Sequence, residues 1–157
     1  MLKLNTLLPV AGAVALGSIA VTIYAQGRGG PPPPTPAILQ NYQPVTEARL
    51  KNPEAGNWLM IRRTYDGWGY SPLEQITPAN VARLKPVWIF ATGEPRVHEA
   101  APLVNNGVMF VSTPNNQVIA IDAKSGNVLW RYRRPRPTGS NVPLDTSRGV
   151  ALLGARV

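Results

Sequence analysis

Four short apolar runs, separated by tight-turn signals, fill the second half of the chain and leave it little choice of fold. Ala101 to Val104, Val108 to Ser112, Gln117 to Asp122 and Val128 to Tyr132 are strand-length and too short for packed helices. The breaks between them read Asn105-Asn106-Gly107, Pro114-Asn115-Asn116 and Ser125-Gly126-Asn127. Gly, and to a lesser degree Asn, tolerates the positive φ that tight hairpin loops demand. Strands so close in sequence pair with their neighbours, so this stretch predicts a four-stranded antiparallel meander. Val87 to Thr92, closed by Gly93, predicts a further strand ahead of it.

A four-stranded sheet of this kind is the unit of a β-propeller, and the chain shows signs of repetition. Trp88 and Trp130 both end a turn-to-strand approach and stand 42 residues apart. Ala101-Pro102-Leu103-Val104 aligns with Val150-Ala151-Leu152-Leu153 at an offset of 49, which also sets Val108 on Val157. Such spacings are blade lengths. The most specific stretch is Ala120-Ile121-Asp122-Ala123-Lys124-Ser125-Gly126-Asn127-Val128-Leu129-Trp130. Small Ala120 allows close approach, Asp122 and Ser125-Gly126 shape a turn, and Trp130 offers a broad face to a neighbouring blade. Two short helices are expected before the sheet. One covers Thr46 to Asn52, capped by Thr46 and ended by Pro53; the other covers Thr77 to Leu84, with Pro78 at its first helical position.

The N-terminal end reads differently. Lys3 precedes an apolar run from Leu7 to Ile23, the pattern of a signal peptide cleaved after Ala25. The expected location is periplasmic or secreted, with membrane attachment only if that segment stays uncleaved. Gln26 to Pro36 is too rich in Gly and Pro to join a core. The resulting division is 1–25 signal peptide, 26–41 linker and 42–157 folded portion, with structure beginning near Tyr42. The chain has no Cys, which excludes disulfides and thiolate metal sites. Much of the net charge of +8 comes from Arg131, Arg133, Arg134 and Arg136. They lie among prolines with no nucleic-acid motif, so no nucleic-acid partner is expected. A solvated loop is one reading of them and a docking patch for an acidic partner is another.

The Ala120–Trp130 stretch resembles the tryptophan-docking motif of quinoproteins, eight-bladed propeller dehydrogenases that use pyrroloquinoline quinone (PQQ). Upstream, Asn57-Trp58-Leu59-Met60, Tyr70 to Ile76, and Asn80-Val81 through Leu84-Lys85-Pro86-Val87-Trp88 are similar to the methanol and ethanol dehydrogenase branch. The resemblance runs from about Trp58 to the last residue. It implies an all-β fold: one full blade and parts of its neighbours, from the N-terminal part of an eight-bladed propeller. It also implies a PQQ-dependent alcohol dehydrogenase that passes electrons to a cytochrome or a quinone. The alternative function is a cofactor-free propeller acting as a protein-binding scaffold. A scaffold lipoprotein would carry Cys just after its signal, and this chain has none.

Two cofactor contacts follow from the resemblance. His98-Glu99-Ala100-Ala101-Pro102-Leu103 matches the stretch whose Glu hydrogen-bonds PQQ, and Ser147-Arg148-Gly149-Val150-Ala151-Leu152 the stretch whose Arg pairs with a PQQ carboxylate. Glu99 and Arg148 are themselves 49 apart, so the repeat places them at equivalent positions. A planar guanidinium suits a carboxylate; Glu99 suits an anionic ligand only by accepting from a ring N–H or by being partly protonated. The competing reading is that the two side chains pair with one another. His98, the single histidine, and Asp122 are assigned structural roles. Many relatives carry two adjacent cysteines shortly before the Arg, where this chain reads Asn141-Val142-Pro143-Leu144-Asp145-Thr146. The family's catalytic Asp and the ligands of its Ca²⁺ or lanthanide ion are expected beyond Val157, so no catalytic or metal-binding residue is assigned. A lone blade is expected to expose Trp130, Val128, Ile119 and the Val87 to Phe90 strand, and to be inactive and marginally folded.

Overall fold

The computed structural model describes residues 34–139 and 146–157. The proposed signal peptide and Asn141 to Asp145 lie outside the described residues. Strands β1 (Leu103–Asn105), β2 (Val108–Thr113), β3 (Gln117–Asp122) and β4 (Val128–Arg133) form one antiparallel sheet in the order β1-β2-β3-β4. The meander is the one expected. Asn106 and Gly107 have φ of 47° and 81°, both positive as a two-residue type I′ loop requires. Beyond β3, the Asp122 carboxylate accepts the N–H groups of Lys124 and Ser125 at 2.8 and 3.2 Å. That turn ends on Gly126 at φ 77°.

One face of the sheet carries the core. Leu103, Val108, Phe110 and Ala120 are buried there with Val45, Leu59 and Leu152. Phe110 meets Tyr42 edge-on at 6.3 Å and Trp130 at 6.0 Å. The cover comes from an N-terminal brace carrying helices α1 (Ala37–Gln40) and α2 (Glu47–Lys51). Thr46 caps α2 by accepting the Arg49 N–H. Ordered structure thus starts earlier than Tyr42, because Ile38 and Leu39 have apolar surface to bury against this core. Main-chain bonds complete the brace. Trp58 and Val104 exchange N–H and C=O at 2.8 Å each, and Val45 and Gly154 do so at 2.7 Å each. The Arg49 guanidinium holds both Glu54 carboxylate oxygens, at 2.8 and 3.1 Å, and reaches Asn105 beside the β1–β2 turn at 2.9 Å.

The opposite face is crossed by an extended strap. Trp88 Nε1 donates to the Ala123 carbonyl at 3.1 Å, and the Arg131 guanidinium lies 5.3 Å from the Phe90 ring centre. Farther along, Glu94 pairs with Arg133 at 2.6 Å. Trp88, Phe90, Thr92 and Glu94 are partly buried, while Val87 and Ile89 are 86% and 90% exposed. The strap therefore has strand periodicity without being a strand, which corrects the expectation for Val87 to Thr92. A strand is defined by ladder bonds, and this stretch docks through side chains only. Its presence also corrects the expected exposure of Ile119, which is fully buried on the strap side of the sheet. Trp130 is half-buried, whereas Val128 is exposed as expected.

Two further details depart from expectation. Thr77 to Leu84 begins with a turn and continues as a 3₁₀ segment, Val81–Arg83. Nearly all its residues are exposed, so no apolar face rewards a longer helix. Arg131 and Arg133 belong to β4 and contact the strap, rather than lying in a solvated loop. In the second unit, Leu152 is buried like Leu103, and Leu153 pairs with Arg156 around Gly154-Ala155. The corresponding pair in the first unit is Asn105 with Val108. The hairpin thus closes one residue earlier than the 49-residue offset places it.

Candidate functional site

Glu99 and Arg148 precede the buried Leu103 and Leu152 by the same four residues. The repeat thus brings two distant stretches to one place: Glu99 Oε2 stands 3.6 Å from Arg148 Nε. Ser147 supports the second stretch by donating its hydroxyl to Ser112 Oγ at 2.9 Å. Arg148 is 86% exposed at its side chain and Glu99 43%. A pair this long and this wet is worth about 1 kcal/mol or less. The two side chains do pair, and the pair is weak enough for an anionic ligand to displace. Arg148 also borders an open cleft of about 510 Å³ whose other walls include Leu59, Met60, Ile61 and Val150. A cation at the rim of a largely apolar cleft suits an acidic molecule with an apolar body.

Glu94, Asn115 and Arg133 were not singled out from sequence as a site. The Glu94 side chain is 8% exposed, and it accepts from Arg133 Nη2 at 2.6 Å and from Asn115 Nδ2 at 2.5 Å. Burying a carboxylate is costly unless it is paired and hydrogen-bonded, and both conditions are met. The only available hint in the sequence was a single acid in the strap facing an arginine-rich strand. His98 belongs to the same assembly. Its Nε2 lies 3.1 Å from the Glu94 carbonyl, which can only accept, so Nε2 carries the proton. The Thr92 hydroxyl is 3.3 Å from the same nitrogen. Among the described residues no group of three His, Cys, Asp or Glu side chains converges as a metal site would require. Asp122 serves its turn, as expected.

The family model described as "PQQ: Glucose/ethanol/alcohol dehydrogenase, beta-propeller domain" matches residues 58–156. The quinohemoprotein alcohol dehydrogenase ADH-IIG of Pseudomonas putida is 34% identical over 92% of this chain and 20% of its own length. Methanol dehydrogenase [cytochrome c] subunit 1 of Methylobacterium organophilum is 45% identical over 48% of this chain and 12% of its own length. Among solved structures, the quinohemoprotein alcohol dehydrogenase of Comamonas testosteroni superposes with a TM-score of 0.62 at 31% identity. That match covers 76% of this chain and 18% of the other. The chain thus spans about a fifth or less of the length of these relatives.

Proposed function

The chain belongs to the PQQ β-propeller family of glucose, ethanol and alcohol dehydrogenases, and from that premise we propose that it is the N-terminal part of a periplasmic PQQ-dependent alcohol dehydrogenase. The observation that carries this reading is the meeting of Glu99 and Arg148 at matched positions, exposed and loosely paired. A planar tricarboxylate fits the donor set: the Arg148 fork is accessible, and the adjoining cleft wall is apolar. Electrons would leave to a cytochrome or a quinone. The substrate would be a primary alcohol or a related hydroxyl compound. A Ca²⁺ or lanthanide ion would take its ligands from chain beyond the described residues.

When bound, PQQ supplies an ortho-quinone able to accept a hydride. This chain's contribution is to bind and orient it. Arg148 would be the anchor, its exposed guanidinium pairing with a carboxylate of the cofactor. Glu99, freed from its 3.6 Å contact with Arg148, would accept from a ring N–H and so help to orient the ligand. Ser147 keeps the Arg148 backbone against β2 through Ser112. Leu59, Met60 and Val150 limit water access from the cleft side.

Reconstitution of the full-length protein with PQQ and Ca²⁺, followed by an assay with primary alcohols and an artificial electron acceptor, tests the proposal. Cofactor-dependent alcohol oxidation is expected. A folded full-length protein that neither binds PQQ nor oxidises alcohols would leave the cofactor-free scaffold as the better reading.

A further inference from the structure

We infer that Glu94 is the positioning residue for Glu99: it fixes the end of the strap from which Glu99 reaches the cofactor, and this rests on Glu99 being a cofactor contact. The Glu94 side chain is 8% exposed, and two separate elements hold it. Arg133 comes from the end of β4 and Asn115 from the β2–β3 turn, whose Asn115 and Asn116 adopt positive φ. The strap cannot slide along the sheet without breaking both contacts. A buried carboxylate stripped of one partner is strongly disfavoured, so the position is held tightly.

The hold passes along the chain to Glu99 through hydrogen bonds inside residues 92–98. The Glu94 N–H donates to the Thr92 hydroxyl at 3.3 Å, and His98 Nε2 donates to the Glu94 carbonyl at 3.1 Å. Gly93 permits the reversal at φ 79°. His98 directly precedes Glu99, so a closed loop, anchored by the Glu94 side chain and shut by His98, sets where the Glu99 backbone emerges. Among the described residues the Glu99 side chain meets Arg148 at 3.6 Å, too long a contact to fix its placement. Its placement therefore depends on the loop rather than on its own partner. Residues that orient a ligand-binding side chain contribute to affinity without touching the ligand.

The test is a double-mutant cycle on PQQ affinity in the full-length apoprotein, read by fluorescence titration with PQQ as the probe. Glu94→Ala is expected to weaken binding about tenfold, the lower end of what loss of an orienting partner costs. Glu94→Ala combined with Glu99→Ala is expected to bind no more weakly than Glu99→Ala alone, because Glu94 acts only through Glu99. General damage to the fold would instead add to the Glu99→Ala loss. Exchanging the charges, Glu94→Arg with Arg133→Glu, is expected to recover part of the affinity. Should Glu94→Ala fail to fold, Glu94→Gln, which keeps the volume and loses the charge, takes its place in the cycle. Wild-type affinity in Glu94→Ala and Glu94→Gln, or additive losses in the double variant, overturns the inference while leaving Glu99 as a ligand. An unchanged affinity in Glu99→Ala strikes the ligand assignment itself, and the positioning role falls with it.

Discussion

The brace and the strap cover opposite faces of the same blade, and they do so by different physics. The brace is joined through main-chain bonds at Trp58 and Val45 and buries Val45 and Leu59 almost completely. The strap has no ladder bonds and touches the sheet through Trp88, Phe90 and Glu94. Its outward side chains, Val87 and Ile89, face solvent. The brace is a finished piece of structure. The strap is finished on one side only, with a row of apolar side chains and open backbone groups on the other.

The sharpest way to break the contrast is at Phe110, on the brace side. Phe110→Ala removes the ring shared by Tyr42 and Trp130 and is expected to cost about 3–5 kcal/mol. Denaturant unfolding would show this, and a loss well below that range would mean that the brace is loosely packed. On the strap side, Gly126→Ala puts a Cβ 2.8 Å from Trp88 ring atoms at φ 77°. It is expected to cost about 1–2 kcal/mol from the backbone conformation alone, and to release the strap. Loss of the Trp88 indole N–H bond to Ala123, read as a shift of that N–H resonance toward its solvent-exposed position with the brace resonances unaffected, is the predicted signature.

Smaller effects separate the regions further. The Arg49 guanidinium, aided by Asn57, pulls the Glu54 carboxyl down from 4.5 to about 2. A carboxyl lowered on folding contributes stability above its unfolded value and loses it as pH falls through the folded one. The brace should therefore weaken between about pH 4.5 and pH 2, a slope that Glu54→Gln removes. Glu54 is half-exposed, so screening holds the effect to about 1 kcal/mol or less. A pH titration of unfolding midpoints for both proteins checks it. Ile89→Thr, on the outer row of the strap, is expected to change the stability of this chain by less than about 0.5 kcal/mol. A larger loss would show that the row is covered.

The same contrast explains what could be read from sequence. The β1–β4 meander was legible because its turns need the residues they have: Asn106-Gly107, the two asparagines after Pro114, and Asp122 before Gly126. The matched positions of Glu99 and Arg148 followed from the 49-residue offset and the family resemblance, and the structure places them side by side. The strap differs from the expected strand because a short apolar run closed by Gly93 marks an extended segment and says nothing about ladder partners. Ile119 was expected at the surface because a lone blade lacks its neighbours, and the strap covers it instead. Glu94 escaped notice because Arg133 and Asn115 are 39 and 21 residues away, on elements whose register only the folded sheet fixes.

The most direct test of the account is the PQQ affinity of the full-length apoprotein with and without Arg148. Arg148→Ala is expected to weaken binding about 10- to 100-fold, as loss of a charge-assisted hydrogen-bond pair would, while leaving the unfolding midpoint nearly unchanged because Arg148 is exposed. An affinity equal to that of the wild type would contradict the assignment of this site.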